Sequence, residues 1–383
     1  MAISKIINWR KKVFNKKMRR KTSLLLVLVV ACMAFMTACG NSGSSGGKAE
    51  KIELSDKKET VSVARPGLDI KIANIIVASE LGYYDEEKVD LKFEQVADLA
   101  TGLTAVSKGD IDVLPFGCIP SCSFISQGTD VVIFGGTISE GSECITLKKN
   151  ANKFKKAEDF KGTKIGCFRM ETGHMVMKGW LREQGLDVDK DVKWVYLDSA
   201  ASEVEAVRKG EVDMCFVNSG YGYVAQQAGD VAVAFQAGDY VKNFPCCRMT
   251  TSRKDVDEKA SALVKFMIAN LRAYEVIQND KDTAIKCLAD YSGQSKEYVK
   301  NVIYGTDSYD AAMIIDPDPC TKAVSDFYET MKLNGDIDKD TQYDIKDYMD
   351  TAIYENALQV LMEREPDNEL WSNLYKSFEE KNK

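Results

Sequence analysis

Two stretches of this chain read almost the same. Residues 103–113 (LTAVSKGDIDV) are echoed by residues 204–214 (VEAVRKGEVDM), and each copy runs on into a loop rich in small residues. In both, apolar side chains recur at a helical spacing up to Lys-Gly, where glycine ends the helix and the pattern turns into a short buried strand. A chain that uses one helix-turn-strand unit twice, about a hundred residues apart, is expected to fold as two similar α/β lobes. Ligands of open α/β sheets lodge beside the carboxyl ends of the strands, so two such lobes facing one another make a cleft suited to capture.

The rest of the pattern fits. Apolar runs predict strands over 61–65, 89–93, 111–114 and 131–134, with amphipathic helices over 70–81, 99–108 and 119–127 between them. Such alternation gives a parallel sheet covered by helices. It returns with strands over 164–168, 192–197, 212–217 and 231–235 and helices over 173–184, 202–209 and 221–228. The extended segments 143–148 and 246–251 read as the two crossings of a hinge, by which the chain enters lobe two and comes back. Beyond residue 255 the sequence is mostly helical, with a long amphipathic stretch over 257–278 and breaks at Asp316-Pro-Asp-Pro319 and Asn334-Gly335. Proline lacks a backbone donor and glycine favours a helix stop. This tail is expected to pack on lobe one.

The first 38 residues carry nine Lys and Arg and no acid, then the 13-residue apolar run 24–36 and the sequence Met36-Thr-Ala-Cys39-Gly40. Thirteen apolar residues are too few to span a bilayer as a helix, so the segment reads as a secretory signal peptide. The Gly/Ser-rich and then charged segment up to Thr60 buries nothing and reads as a flexible tether. The chain divides into a signal peptide (1–38), a tether (39–60), lobe one (61–142), hinge and lobe two (143–248), and a return to lobe one with the helical C-terminal region (249–383). Nine of the 51 basic residues lie in the signal, so the remainder is more acidic than the overall net charge of −7. An acidic surface repels phosphate backbones, and no nucleic-acid partner is expected. The nine cysteines beyond Cys32 and Cys39 are odd in number and sit mostly in apolar segments. They read as small buried side chains rather than a disulfide framework.

With these segments placed, the sequence resembles the solute-binding lipoproteins of ABC importers, in the nitrate/sulfonate/taurine group that also contains thiamine-precursor binders. The resemblance rests on residues 78–91 (ASELGYYDEEKVDL), the two Lys-Gly-(Asp/Glu)-(Ile/Val)-Asp copies, residues 157–166 (AEDFKGTKIG) and residues 180–186 (WLREQGL), in the family's order. It implies a periplasmic-binding-protein-like type II fold, α/β and two-lobed with a two-crossing hinge, here with a helical C-terminal extension. It further implies a monomer outside the cytoplasmic membrane that closes on a small-molecule solute and presents it to a membrane permease. Small residues before Cys39 resemble a lipobox, which implies lipidation of Cys39 and membrane attachment; Val29-Val-Ala-Cys32 also fits that pattern. The chain departs from the family at Glu87-Lys88-Val89, where Gly-Leu is common.

Candidate binding residues follow from the strand ends. Arg65, before Gly67, ends the first strand of lobe one, and Arg169, before Thr172 and His174, ends that of lobe two. An arginine beside a helix start lets a guanidinium and free N–H groups face the same anion, so the two suit a clamp for a carboxylate or sulfonate. The alternative is pairing with local acids such as Glu80 or Glu171. Gly117 and Cys118, the Gly135-Gly136-Thr137 loop, and Asn218, Ser219 and Tyr221 lie at equivalent strand ends; small residues admit a ligand to the backbone and the polar ones hydrogen-bond it. The same residues would serve as ordinary turns and caps. Arg248 is a possible third cation or an outward-facing strand residue.

His174 is the only histidine, and no phosphate-binding loop, dinucleotide fingerprint or Cys-x-x-Cys occurs. No enzyme activity and no cofactor or metal is expected; the acidic run 336–347 lacks the glycine and the glutamate of a calcium loop. The leading reading is a receptor for an anionic or amphoteric organic solute. Its rivals are a binder of a pyrimidine or other heterocyclic vitamin precursor, an enzyme of the thiamine-pyrimidine type on the same fold, and a sensory lipoprotein without a transporter.

Overall fold

A computed structural model describes residues 49–168, 171–307 and 309–383. The signal peptide, Cys32, Cys39 and Arg169 lie outside the described residues. Lobe one is built from β1 (Glu59–Arg65), α1 (Ala73–Glu80), α2 (Tyr83–Glu86), β2 (Val89–Gln95), α3 (Leu99–Lys108), α4 (Cys118–Ile125) and β3 (Val131–Ser139). Lobe two follows with β4 (Ser142–Leu147), β5 (Lys164–Cys167), α5 (Thr172–Glu183), β6 (Lys193–Tyr196), α6 (Ala200–Lys209), β7 (Met214–Asn218), α7 (Tyr221–Gln226) and β8 (Val231–Gln236). The chain returns through β9 (Pro245–Ser252) to α8 (Arg253–Asn279), α9 (Lys281–Ser292), α10 (Lys296–Tyr304), β10 (Ile314–Ile315), α11 (Thr321–Asn334), α12 (Ala352–Arg364) and α13 (Glu369–Asn382).

The repeat is one topology used twice. In lobe two the strand order is β6-β5-β7-β4-β8, with β5 parallel to β6 and β7 and with β4 antiparallel to β7 and β8. In lobe one, β1 pairs in parallel with β2, and the bridges Val63–Val113 and Leu114–Thr250 join them to β9-β3-β10. The expected strand over 111–114 is reduced to those two bridges. Asp98 and Ser199 cap the two repeat helices, and Gly109 and Gly210 end them at φ 77 and 72, a region glycine enters without steric cost. The aspartate of each copy has a structural task. Asp112 accepts the Ser62 N–H at 2.8 Å and Asp213 the Lys164 N–H at 2.9 Å, so each pins the first strand of its own lobe to the strand that ends the repeat.

Four expectations need correction. Segments 143–148 and 246–251 are extended, but they lie in β4 and β9, one in each sheet; the crossings precede them, at Glu140 and Gly141 and at residues 237–244. The Gly135-Gly136-Thr137 stretch is not a loop after a strand but the middle of β3. A Cβ at Gly136 would overlap the Asp316 carbonyl, and the Gly136 N–H donates to the Pro317 carbonyl at 2.8 Å, so the small residues admit the chain's own Asp-Pro segment. The tether ends earlier than Thr60: the Ile52 N–H donates to Asn356 at 2.8 Å and the Ser55 N–H to Ser261 at 2.9 Å, docking this segment on α12 and α8. The tail also reaches lobe two, where Asn334 of α11 accepts from Arg182 at 2.8 Å and donates to the Met175 carbonyl at 3.0 Å.

All nine cysteines among the described residues are free and buried. No helix among those residues is long and apolar enough to cross a membrane.

Candidate binding cleft

On lobe one, Arg65 closes β1. Its guanidinium lies 5.0 Å from the Phe93 ring centroid and 5.9 Å from that of Tyr291, donates to the Tyr291 hydroxyl at 3.2 Å, and leaves Nε buried without a partner. It is stacked between aromatics rather than paired with Glu80. A Cβ at Gly67 would meet nothing within 4 Å, so the backbone there borders open space. Asp69 then starts the next turn by accepting the Lys71 N–H at 2.8 Å, with the Lys71 ammonium 3.5 Å from its other oxygen. Lys71 keeps only 11% of its side chain exposed. Burial works against its charge, but Asp69 and the Cys247 and Cys246 thiols hold it above the usual lysine range.

Several expected ligand groups on this lobe are already engaged. The Gly117 N–H faces Cys247. Cys118 is fully buried, 3.8 Å from the Cys122 sulfur. The Thr137 hydroxyl donates to the Pro115 carbonyl at 3.3 Å. Arg248 does not reach the cleft: fully buried, it donates to the Ile138 carbonyl at 2.9 Å and Ser139 at 2.8 Å, with Asp316 at 3.4 Å.

On lobe two, the N-terminus of α5 is filled from within. Glu171 accepts the Gly173 and His174 N–H groups at 2.8 and 2.9 Å and the Ser142 hydroxyl at 2.6 Å. Burial would raise its carboxyl, but the His174 and Ser142 bonds outweigh that and hold it below the usual glutamate range. The helix start expected to receive an anion therefore already holds a carboxylate. Thr172 and His174 are buried beside it; His174 Nδ1 is 3.4 Å from Glu171, and its ring meets Tyr196 edge-on at 5.9 Å. Because Ser142 donates to Glu171 and not to His174, the three do not form a nucleophile-base relay.

Glu143 does the same for α7. From β4 it accepts the Gly222 N–H at 2.8 Å, Gln236 Nε2 at 3.4 Å and the Tyr309 hydroxyl. Burial pushes its carboxyl up to about 7. Ser219 ties the end of β7 to the first crossing, its hydroxyl donating to the Gly141 carbonyl at 2.8 Å. Asn218, half-buried at that strand end, has no side-chain hydrogen bond among the described residues, and Tyr221 is 37% exposed.

These groups converge on Tyr298 of α10. A Cβ at Gly220 would lie 2.6 Å from its hydroxyl. Burial, then Asp69 from lobe one and Glu143 from lobe two, push that hydroxyl up to about 12. The Tyr223 ring packs against Tyr298 at 6.0 Å and Tyr309 at 5.1 Å. A cavity of about 450 Å³ borders Tyr309, Gln236 and Asp239. The surroundings of Tyr298 thus carry a cation, Lys71, two acids, Asp69 and Glu143, and two further tyrosines, Tyr223 and Tyr309, while Arg65 lies elsewhere on lobe one beside Phe93 and Tyr291. Sequence reasoning found Arg65 but not the others. Glu143 had a signal, an acid within the apolar run SECITL; Tyr298 and Tyr309 come from the tail with no spacing to mark them.

Over residues 69–284 the sequence matches the family described as NMT1/THI5 like. No curated protein matches it. Among solved structures, the periplasmic aliphatic sulphonate binding protein of Escherichia coli is 18% identical with a TM-score of 0.60, over 76% of this chain and 92% of that one. The periplasmic nitrate-binding protein of Synechocystis PCC 6803 is 15% identical with a TM-score of 0.64, over 81% and 90%. A desulfurization enzyme is 15% identical with a TM-score of 0.55, over 79% and 99%. At these identities the likeness establishes the fold, a periplasmic-binding-protein-like type II architecture that serves both binding proteins and an enzyme.

Proposed function

This chain belongs to the NMT1/THI5-like family, and from that premise we propose that it is the solute-binding component of an ABC importer, working outside the cytoplasmic membrane. One observation carries the reading: Lys71, Asp69, Glu143 and two further tyrosines, drawn from both lobes and the tail, gather around Tyr298. That arrangement suits an amphoteric organic solute, with its anionic end toward Lys71 and its polar or cationic end toward Glu143. Likeness to structures named for sulphonate and nitrate binding supports the anionic end. Contacts from both lobes favour the closed state, so capture proceeds as a population shift and a membrane permease receives the solute. In this reading a lipid on Cys39 holds a monomeric receptor at the membrane, and Arg169 is the partner of Arg65 across the cleft.

A second reading has its own support. Glu171 already fills the seat for an anion on α5, and the tyrosines offer flat faces, features that favour an uncharged or weakly basic ring such as a pyrimidine.

A thermal-shift panel of sulfonates, taurine, amino acids, carboxylates and pyrimidines separates the two. Ligand at a hundred times its dissociation constant adds about 2.7 kcal/mol. A shift with taurine or a sulfonate is expected; a shift with pyrimidines alone selects the second reading. Recovery of the bound compound unchanged is the result expected of a receptor, and conversion to product would put catalysis in its place.

A further inference from the structure

Strand β9 carries two consecutive cysteines, Cys246 and Cys247, directly after its first residue, Pro245. Neighbouring residues of a strand ordinarily point to opposite faces. Here Cys247 faces Ile138 while Pro245 faces Ser139, so Cys246 has no partner across the ladder and forms a β-bulge. A bulge re-aims side chains. The two sulfurs come to lie 3.9 Å apart, with the residues 5% and 4% exposed.

Their surroundings differ from those of the other buried thiols. The Gly117 N–H faces Cys247, as do Lys71 and Asp69 from the turn before α1. A Cβ at Gly141 would lie 3.4 Å from the Cys246 sulfur, so the pair sits against the first crossing. The hydrogen bond from Cys246, with Lys71 and Gly117, brings the Cys247 thiol down to about 7 despite burial. Cys246 moves the other way, as do Cys144 and Cys215, which burial pushes well up.

The spacing points to one bridging atom. Metal–sulfur bonds of about 2.3 Å meeting at a tetrahedral angle set two sulfurs about 3.8 Å apart. A disulfide fits worse, because adjacent Cα atoms are about 3.8 Å apart, whereas disulfides ordinarily span about 4.4–6.8 Å.

We propose that Cys246 and Cys247 form a dithiol site in β9, beside the first crossing, that takes one thiophilic centre, a soft metal ion or trivalent arsenic, across both sulfurs. With an arsenoxide the Cys247 thiolate bonds to arsenic first and Cys246 closes the ring. Two S–H bonds and the As=O bond give way to two As–S bonds and one water, with no change of oxidation state.

The probe is phenylarsine oxide, titrated against the full chain at pH 7 with free thiols counted and the adduct mapped by mass spectrometry. One equivalent is expected to consume two thiols, with the adduct on the peptide holding Cys246 and Cys247. Cys247→Ser should slow the reaction at least tenfold. Cys246→Ser should leave a single-thiol adduct that mercaptoethanol reverses. Lys71→Met should move the pH midpoint of the reaction upward. Cys118→Ser should change nothing, although Cys118 and Cys122 are similarly spaced. An adduct mapping to Cys118 and Cys122, or unchanged rates in both Cys246→Ser and Cys247→Ser, would overturn the proposal; mapping on the parent protein separates the two cysteine pairs even if a variant fails to fold.

Discussion

Glu203, on α6, is fully buried, and neither of its carboxyl oxygens has a hydrogen-bond partner. Burial, then the nearby charge of Glu171, pushes its carboxyl up to about 9, so at neutral pH it is an uncharged acid in an apolar setting. A buried polar group without a partner costs about 1–3 kcal/mol. Glu203→Met keeps the volume and removes that cost, so the variant should unfold in urea with about 1–3 kcal/mol more stability near pH 4, where Glu203 is protonated in both states. The sign with pH follows from the raised folded-state value: the native protein holds its proton where the unfolded chain, near 4.5, has lost it. The parent therefore loses stability as pH climbs from about 4.5 to 9. The advantage of Glu203→Met should widen over that window, and a constant or reversed difference would mean that Glu203 finds a partner in solution.

Two helices facing the cleft take their caps from acids held in the fold: Glu171 on α5, and Glu143, reaching from another strand, on α7. The Glu143 cap is pH-sensitive. Its carboxyl rises from an ordinary 4.5 to about 7 because burial favours the protonated form, so stability is lost as pH rises through that interval. The full difference is worth about 3 kcal/mol. Glu143→Gln keeps an acceptor for the Gly222 N–H and never ionises. Thermal unfolding should find it level with the parent near pH 5 and more stable at pH 8, and parallel curves would sink the idea. A cap of this kind also marks where sequence reading stops. The bounds expected for α3, 99–108, are those observed, because its period and both its caps are local. β4 and β9 were misplaced because a buried extended run looks the same in a hinge and in a sheet; β4 pairs with a strand some seventy residues away and β9 with one more than a hundred away. Gly136 and Thr137 misled for a related reason. Small residues signal that something approaches the backbone, without saying whether it is a ligand or the chain's own Pro317.

At the scale of the whole molecule, the two crossings are fastened to each other by one side chain. Glu140 sits at φ 63 in the first crossing and Asn243 at φ 58 in the second, conformations that β-carbon-bearing residues seldom adopt. The Glu140 N–H donates to the Phe244 carbonyl at 2.8 Å, and its carboxylate accepts the Asn243 N–H at 2.9 Å. Gly238 backs onto that carboxylate so closely that a Cβ there would overlap it. The fastening holds the two crossings in register with each other. Glu140→Ala leaves the Asn243 N–H without its partner at an unfavourable φ and should cost about 1–3 kcal/mol. Gly238→Ala displaces the same carboxylate and should cost a similar amount by itself. If both act through one interaction, the double variant will lose much less than the sum, and urea unfolding of the four proteins measures the coupling. Additive losses would mean that Gly238 is needed for its own backbone, independently of the Glu140 carboxylate. Small-angle scattering of the solute-free Glu140→Ala protein gives the second readout, an increased radius of gyration as the crossings separate.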